Sequence, residues 1–206
     1  MDNLTNSIDQ VVEENALPHE WSKEVLAELK DLGVKNNKRD DLRKIPFVTI
    51  DGKDAKDFDD AVFCEANKDG FVLQVAIADV AEIVEPSSSI DKEALSRGTS
   101  IYFPKRVIPM LPEEISNNLC SLIPNKDRNV LVCKMNFTQE GEINSYDFSE
   151  SIINSHKRFT YNEVEFLKQN KDTNLGADIH NSINALEMLT KQLLDNRSKR
   201  YALEIE

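Results

Sequence analysis

The chain carries two hydrophobic rhythms, a period near two through its middle and a helical period on either side. The apolar, largely β-branched run Ile45, Phe47, Val48, Thr49 and Ile50 predicts a strand, and Ala61, Val62 and Phe63 open another, with acidic residues between the two. Residues 61–64 and 71–78 flank Asn67-Lys68-Asp69-Gly70, a strong turn signal, and predict a hairpin. That hairpin returns Asp79 to the level of the acidic run, which leaves two roles for it, support of a metal site and, as the expected one, capping or holding the following turn. Residues 129–137 alternate, Gln139-Glu140-Gly141-Glu142 marks a turn, and residues 143–153 supply a partner, so a second hairpin is expected. His156, beyond its end, reads as structural.

Helical spacing frames these strands. After Pro18, the spacing of Trp21, Val25, Leu26, Leu29 and Leu32 predicts a packed helix that Gly33 stops, followed by a charged connector over residues 35–44. Ser88, three residues ahead of Asp91, caps a helix ended by Gly98, and a short helix is expected near residues 113–119. Thr160 with Glu163 has the form of a capping box, and after a polar break at residues 170–176 a last helix presents Ile179, Ile183, Leu186, Leu189 and Leu193 on one face. Residues 201–206 read as the start of a strand. The fold expected is α+β, a mixed, largely antiparallel sheet built from hairpins and flanked by helices. A helical arm and linker occupy residues 1–44, and one domain occupies 45–206.

The acidic run carries the candidate chemistry. Asp51, Asp54, Asp57, Asp59 and Asp60 fall within ten residues. Two carboxylates about 4 Å apart repel by roughly 4 kcal/mol at an effective dielectric near 20, so a fold that gathers several of them needs cations. In an extended backbone Asp57 and Asp59 point to one side and Asp60 to the other, so a bend must intervene before all face one point. Carboxylate oxygens suit Mg²⁺ or Mn²⁺, which leave positions open for phosphates and water. Spacing alone leaves two readings, a metal site and an acidic solvated loop. An EF-hand does not fit, because Lys53 or Ala61 falls where a ligand is required, and the chain has no Walker or Rossmann glycine pattern. No Ser or Cys nucleophile is paired with a base.

Composition narrows the setting. The 206 residues, 40% of them hydrophobic, can bury a real core, no apolar run approaches a membrane span, and the N-terminus lacks the features of a signal peptide. Three widely spaced cysteines form neither a disulfide framework nor a zinc pattern, which points to the cytoplasm. A net charge of −12 opposes simple nucleic-acid binding and leaves only local basic groups, Lys105 with Arg106, Lys126 with Arg128, and Lys157 with Arg158. Taken one by one, these are ordinary solvated surface.

Asp51-Gly52-Lys53-Asp54-Ala55-Lys56-Asp57-Phe58-Asp59-Asp60-Ala61-Val62 with Val75-Ala76-Ile77-Ala78-Asp79-Val80 closely resembles the catalytic (RNB) domain of the ribonuclease II and ribonuclease R family. Arg97-Gly98-Thr99-Ser100-Ile101-Tyr102-Phe103-Pro104, Val107-Ile108-Pro109-Met110-Leu111-Pro112 and Leu119-Cys120-Ser121-Leu122 extend the resemblance in order, more on the ribonuclease R side. It implies a processive exoribonuclease that hydrolyses single-stranded RNA from the 3′ end to nucleoside 5′-monophosphates. In that mechanism Asp51, Asp57 and Asp60 hold Mg²⁺ (or Mn²⁺), and Asp59 is most directly needed for the chemical step. Tyr102 clamps the last nucleotides, with Arg97 and Arg106 as further RNA contacts. The family's His-x-Thr-Ser-Pro-x-Arg-Arg-type segment and oligonucleotide-binding domains are not in this chain, so residues 45–206 are expected to be the N-terminal part of a truncated catalytic domain. Two other readings stand beside this one. The first is an inactive remnant that binds a partner protein or self-associates through surface exposed by truncation, and the second is an unrelated Mg²⁺ phosphohydrolase.

Overall fold

The structure, a computed structural model, describes residues 3–33, 38–104, 106–169 and 175–200. Lys105, most of the expected polar break at 170–176 and the strand start at 201–206 lie outside the described residues. In chain order the elements are α1 (Asn3–Glu14), α2 (Lys23–Glu28), β1 (Asp40–Asp41), β2 (Val48–Asp51), β3 (Asp60–Asn67), β4 (Gly70–Ala78), α3 (Val80–Ile83), α4 (Ser89–Arg97), β5 (Ile101–Phe103), β6 (Arg106–Ile108), β7 (Asp127–Thr138), β8 (Ile143–Asn154), β9 (Lys157–Thr160), α5 (Tyr161–Gln169) and α6 (Ala177–Lys199). No helix among the described residues is long and apolar enough to cross a membrane.

By compactness the chain falls into two units, Met1–Asn36 with Val80–Leu119 and Asn37–Asp79 with Cys120–Glu206. This division differs from the expected boundary at residue 44, because residues 80–119 pack with the N-terminal helices. Ile8 and Val12 of α1 bury against Ile108 of β6. The Glu28 carboxylate accepts the free N–H groups of Ser89 and Ile90 at the start of α4 (2.8 and 3.4 Å), partners that first-turn amides otherwise lack. The helix expected after Pro18 is shorter than predicted: Ser22 caps α2, and Leu29–Asp31 tighten into a 3₁₀ turn. Its companion α1 was not foreseen. In α4 the expected caps are present, with Ser88 Oγ accepting from Asp91 N–H (3.1 Å) and Gly98 at φ 72°.

The second unit is built on a seven-stranded sheet in the order β1-β8-β7-β4-β3-β2-β9. Its centre is the two predicted hairpins, β3–β4 and β7–β8, joined by antiparallel β4–β7 pairing. Its edges are parallel pairs, β1 on β8 and β2 on β9. In the first hairpin Asn67 Oδ1 accepts from the N–H groups of Asp69 and Gly70. Gly70 has φ +143°, and a Cβ there would overlap the Phe137 carbonyl of the neighbouring strand.

Helix α6 covers one face of this sheet. Ala185 and Leu189 bury with Cys64, Phe71 and Phe137, and Ile183 buries with Val48, Phe159 and Leu167. Burying an apolar side chain of this size contributes about 1.5–3 kcal/mol. Ser182, also buried, accepts the Cys64 N–H at 2.9 Å. The capping box before α5 forms in both directions, Thr160 N–H to Glu163 Oε2 (2.7 Å) and Glu163 N–H to Thr160 Oγ1 (3.2 Å).

Candidate active site

The acidic run links two fixed strand ends. Strand β2 ends at Asp51, in register with Thr160 of β9, and β3 begins at Asp60, in register with Ile77 of β4. Residues 52–59 between them leave the strand geometry, which supplies the bend that clustered carboxylates require. A turn closed by Ala55 N–H on the Gly52 carbonyl (3.2 Å) starts the loop, and Ala78 N–H on the Asp59 carbonyl (2.9 Å) ends it.

Phe58 anchors the middle of the loop. Its side chain is buried, its N–H donates to Ser121 Oγ (3.0 Å), and its carbonyl accepts from Leu122 N–H (2.8 Å). Ser121 Oγ in turn donates to the Lys56 carbonyl (2.9 Å), so one buried hydroxyl pins the backbone on both sides of Asp57. Asp57 and Asp59 are therefore the immediate neighbours of a residue that cannot move freely. Sequence reasoning missed this anchor, although Ser121 stands in a matched motif.

The four carboxylates act on one another. Burial raises the pKa of Asp59 above its ordinary value, and the charges of Asp57, Asp60 and Asp51 raise it further. Asp59 is exposed as a whole residue, so its desolvation is partial and solvent screens part of the repulsion. Burial likewise raises Asp51, with Asp60 and Asp57 adding to it and Arg158 opposing it. Asp54 sits exposed in the turn and does not enter this set. Cys120, buried nearby, is pushed up to about 11, mainly by burial and then by Asp59.

Asp51 Oδ2 is buried without a hydrogen-bond partner. An unsatisfied buried polar atom costs about 1–3 kcal/mol, and more when charged, so this oxygen calls for a cation or a proton. Among the described residues no three His, Cys, Asp or Glu side chains form a ready-made metal cage. The unpaired Asp51 oxygen, a hard carboxylate donor, suits an ion such as Mg²⁺ that takes few protein ligands and completes its shell with water and phosphate oxygens.

Two residues beside the site have structural partners. Asp79 pairs with Arg39 (2.6 Å), both side chains nearly buried, and its N–H donates to the Asn129 carbonyl, so it holds the strand end as expected. Arg158 departs from its reading as solvated surface, since its Nη2 donates to the carbonyls of Gly52 (2.6 Å) and Lys53 (2.8 Å). His156 is structural too, donating its backbone N–H to the Phe47 carbonyl.

Tyr102, Arg97 and Arg106 belong to the other compact unit. Tyr102, on β5, is 70% exposed, which leaves its ring free to stack. Arg106 pairs with Asp9 at 2.6 Å and stays about one-third exposed. Arg97 is different. Its side chain is 2% exposed, bonds Glu93 and the carbonyls of Pro109 and Glu20, and lies 3.6 Å over the Trp21 ring. Its donors are spent inside its own unit, so direct contact with RNA requires exchanging those bonds.

Comparison with known proteins places the sequence and the fold in a family. Residues 39–206 match the family described as RNB domain. Ribonuclease R of Vibrio parahaemolyticus serotype O3:K6 is 46% identical over 199 residues, covering 92% of this chain and 24% of that protein. Ribonuclease R of Acidithiobacillus ferrooxidans is 52% identical over 163 residues, covering 76% of this chain and 37% of that protein. The structure of Mycoplasma genitalium RNase R in complex with double-stranded RNA superposes with a TM-score of 0.91 at 35% identity, over 97% of this chain and 36% of that one. The chain therefore spans only about a quarter to just over a third of the length of these relatives.

Proposed function

The chain belongs to the RNB-domain family, and on that premise we propose that it carries the carboxylate half of the active site of an exoribonuclease that degrades single-stranded RNA from the 3′ end to nucleoside 5′-monophosphates. The observation that carries this is the buried Asp51 carboxylate oxygen without a hydrogen-bond partner, on a loop where the charges of Asp60 and Asp57 act on Asp51 and those of Asp57, Asp60 and Asp51 act on Asp59. Asp51, Asp57 and Asp60 are the residues that would hold Mg²⁺. Such an ion, when bound, neutralises charge on the phosphate and makes a water more acidic. Asp59, on the loop limb fixed by Phe58, is assigned to the chemical step. Tyr102 offers a ring for stacking on a base, an interaction worth about 1–3 kcal/mol and indifferent to sequence. Arg106 is the cation of the pair left within reach of a phosphate, and Arg97 supports the surface from behind. Ribonuclease R relatives and an RNA-bound family structure support the reading.

The test is digestion of 5′-labelled single-stranded RNA with Mg²⁺ or EDTA. The expected result is a Mg²⁺-dependent ladder shortening from the 3′ end, abolished by Asp59→Asn. Because the chain spans 24% of its Vibrio relative, the same substitution is made at the matching Asp of that full-length enzyme, where cleavage is expected to fail and RNA binding to persist. Unchanged turnover in both variants overturns the assignment.

A second reading, a protein-binding or self-associating module, draws on one observation. Ile77, Leu131, Tyr146 and Phe148 leave apolar surface exposed on the second unit. A clean monomer by light scattering at high concentration removes self-association.

A further inference from the structure

Arg158 reaches both limbs of the acidic loop. Strand β9 sets it beside β2, in register with Thr49, two residues before Asp51. From there Nη2 donates to the carbonyls of Gly52 and Lys53, the first two residues beyond Asp51, at 2.6 and 2.8 Å. The guanidinium carbon lies 5.3 Å from the ring centroid of Phe58, the residue between Asp57 and Asp59. Gly52 and Lys53 thus join Phe58 around one cation.

We propose that Arg158 is a positioning residue of the metal site, holding the acidic loop closed through its backbone carbonyls so that the carboxylates stay together while their oxygens remain free for the ion. The proposal rests on the metal-site reading given above. Its physical basis is the repulsion already described: several like charges on one short loop favour opening. A cation beside Asp51 offsets part of that repulsion from a distance. Because its donors go to carbonyls rather than to carboxylates, it does so without occupying a ligand oxygen. Ser121 holds the other limb by neutral hydrogen bonds, so the two residues act on different halves of the same loop.

The test compares the full chain with Arg158→Gln and Arg158→Lys. Lysine keeps the charge, but its Nζ ends one atom short of the Nη2 position and lacks the flat guanidinium that packs over Phe58. In metal-free protein, hydrogen exchange of amides 52–60 is expected to rise about tenfold in both variants, the loss of one charge-assisted bond, with the β7–β8 amides unchanged as a check on folding. Mn²⁺ affinity, followed by the loss of its free electron-resonance signal, is expected to fall about tenfold in both. Simple electrostatics predicts the opposite for Arg158→Gln, since a competing positive charge has been removed. Tighter Mn²⁺ binding by the glutamine variant with wild-type binding by the lysine variant overturns the proposal, and so does unchanged loop exchange. Wild-type protein that binds Mn²⁺ alongside variants that bind it equally well sinks the proposal alone. Wild-type protein that binds none removes the metal site and the proposal with it.

Discussion

Ser121→Ala isolates the anchor under the acidic loop. The hydroxyl is buried, accepts the Phe58 N–H at 3.0 Å and donates to the Lys56 carbonyl at 2.9 Å. Removing it strands one donor on a buried residue, worth about 1–3 kcal/mol. It also frees one carbonyl on an exposed residue, which water can reach, so that part adds at most about 0.5–1 kcal/mol. The expected loss is therefore about 2 kcal/mol, a fall in melting temperature of roughly 4–8 °C for a chain of this size. Urea unfolding followed by far-UV circular dichroism is the suitable assay, because the single tryptophan, Trp21, lies in the other unit and does not report on the sheet. The control is Ser145→Ala, an exposed hydroxyl that only accepts from Asn136 Nδ2, with an expected change within about 0.5 kcal/mol. If the loop detaches locally, the global loss is smaller, but the Phe58 amide must then exchange faster. A Ser121→Ala variant within about 0.5 kcal/mol of wild type and with unchanged Phe58 exchange refutes the reasoning.

Three further outcomes are expected. Gly70→Ala combines a left-handed φ of +143° with a Cβ that overlaps the Phe137 carbonyl, and it should cost about 2–4 kcal/mol in the same urea assay; a cost below about 1 kcal/mol contradicts the tight β4–β7 approach. Burial pushes Cys64 up to about 12 and Cys120 up to about 11, so at pH 8 a thiol reagent should label only the half-buried Cys133 quickly and all three cysteines in urea; two fast thiols in native protein contradict this. Asp59 binds its proton more tightly folded than unfolded, so its ionisation destabilises the metal-free fold as pH rises from the ordinary value of 3.8 through the raised one, and the penalty is fully present above that. Asp59→Asn should therefore stabilise metal-free protein at pH 7 by less than about 1 kcal/mol, the exposed side chain being well screened, and the gain should vanish below the window; a loss of stability at pH 7 contradicts the sign.

What the sequence disclosed follows from the range of the interactions. Period-two alternation and the turn at Asn67–Gly70 act over neighbouring residues, and both hairpins were legible from them. So were the caps at Ser88 and Thr160, where partner groups lie three residues apart. The parallel edge strands were not, because β1 is two aspartates and β9 is a short basic stretch, and each becomes a strand only by pairing with a distant one. Helix α1 left a trace in the spacing of Ile8 and Val12, but its burial depends on Ile108, about a hundred residues on. At the site the aspartates were visible as a cluster, while Ser121 and Arg158 look like ordinary polar residues in sequence. Arg97 differs in the opposite direction: its motif suggested a ligand contact, and its guanidinium is engaged by Trp21 and Glu93, partners that the sequence spacing did not disclose.

The distribution of arginines gives the acidic loop its meaning. Four aspartates elsewhere in the chain have arginine partners: Asp79 has Arg39, Asp41 and Asp127 share Arg43, and Asp9 has Arg106, all at 2.6–3.0 Å. Asp51, Asp57, Asp59 and Asp60 form no ion pair with Lys or Arg within 4.0 Å among the described residues, even though Arg158 is close enough to act on Asp51. A loop selected only for stability would turn that guanidinium onto a carboxylate, where a charged hydrogen bond stabilises by about 1.5–3 kcal/mol. Here it binds two carbonyls and the carboxylates keep their repulsion. The loop therefore keeps negative charge together at a cost in stability, a cost that the proposed metal site would explain.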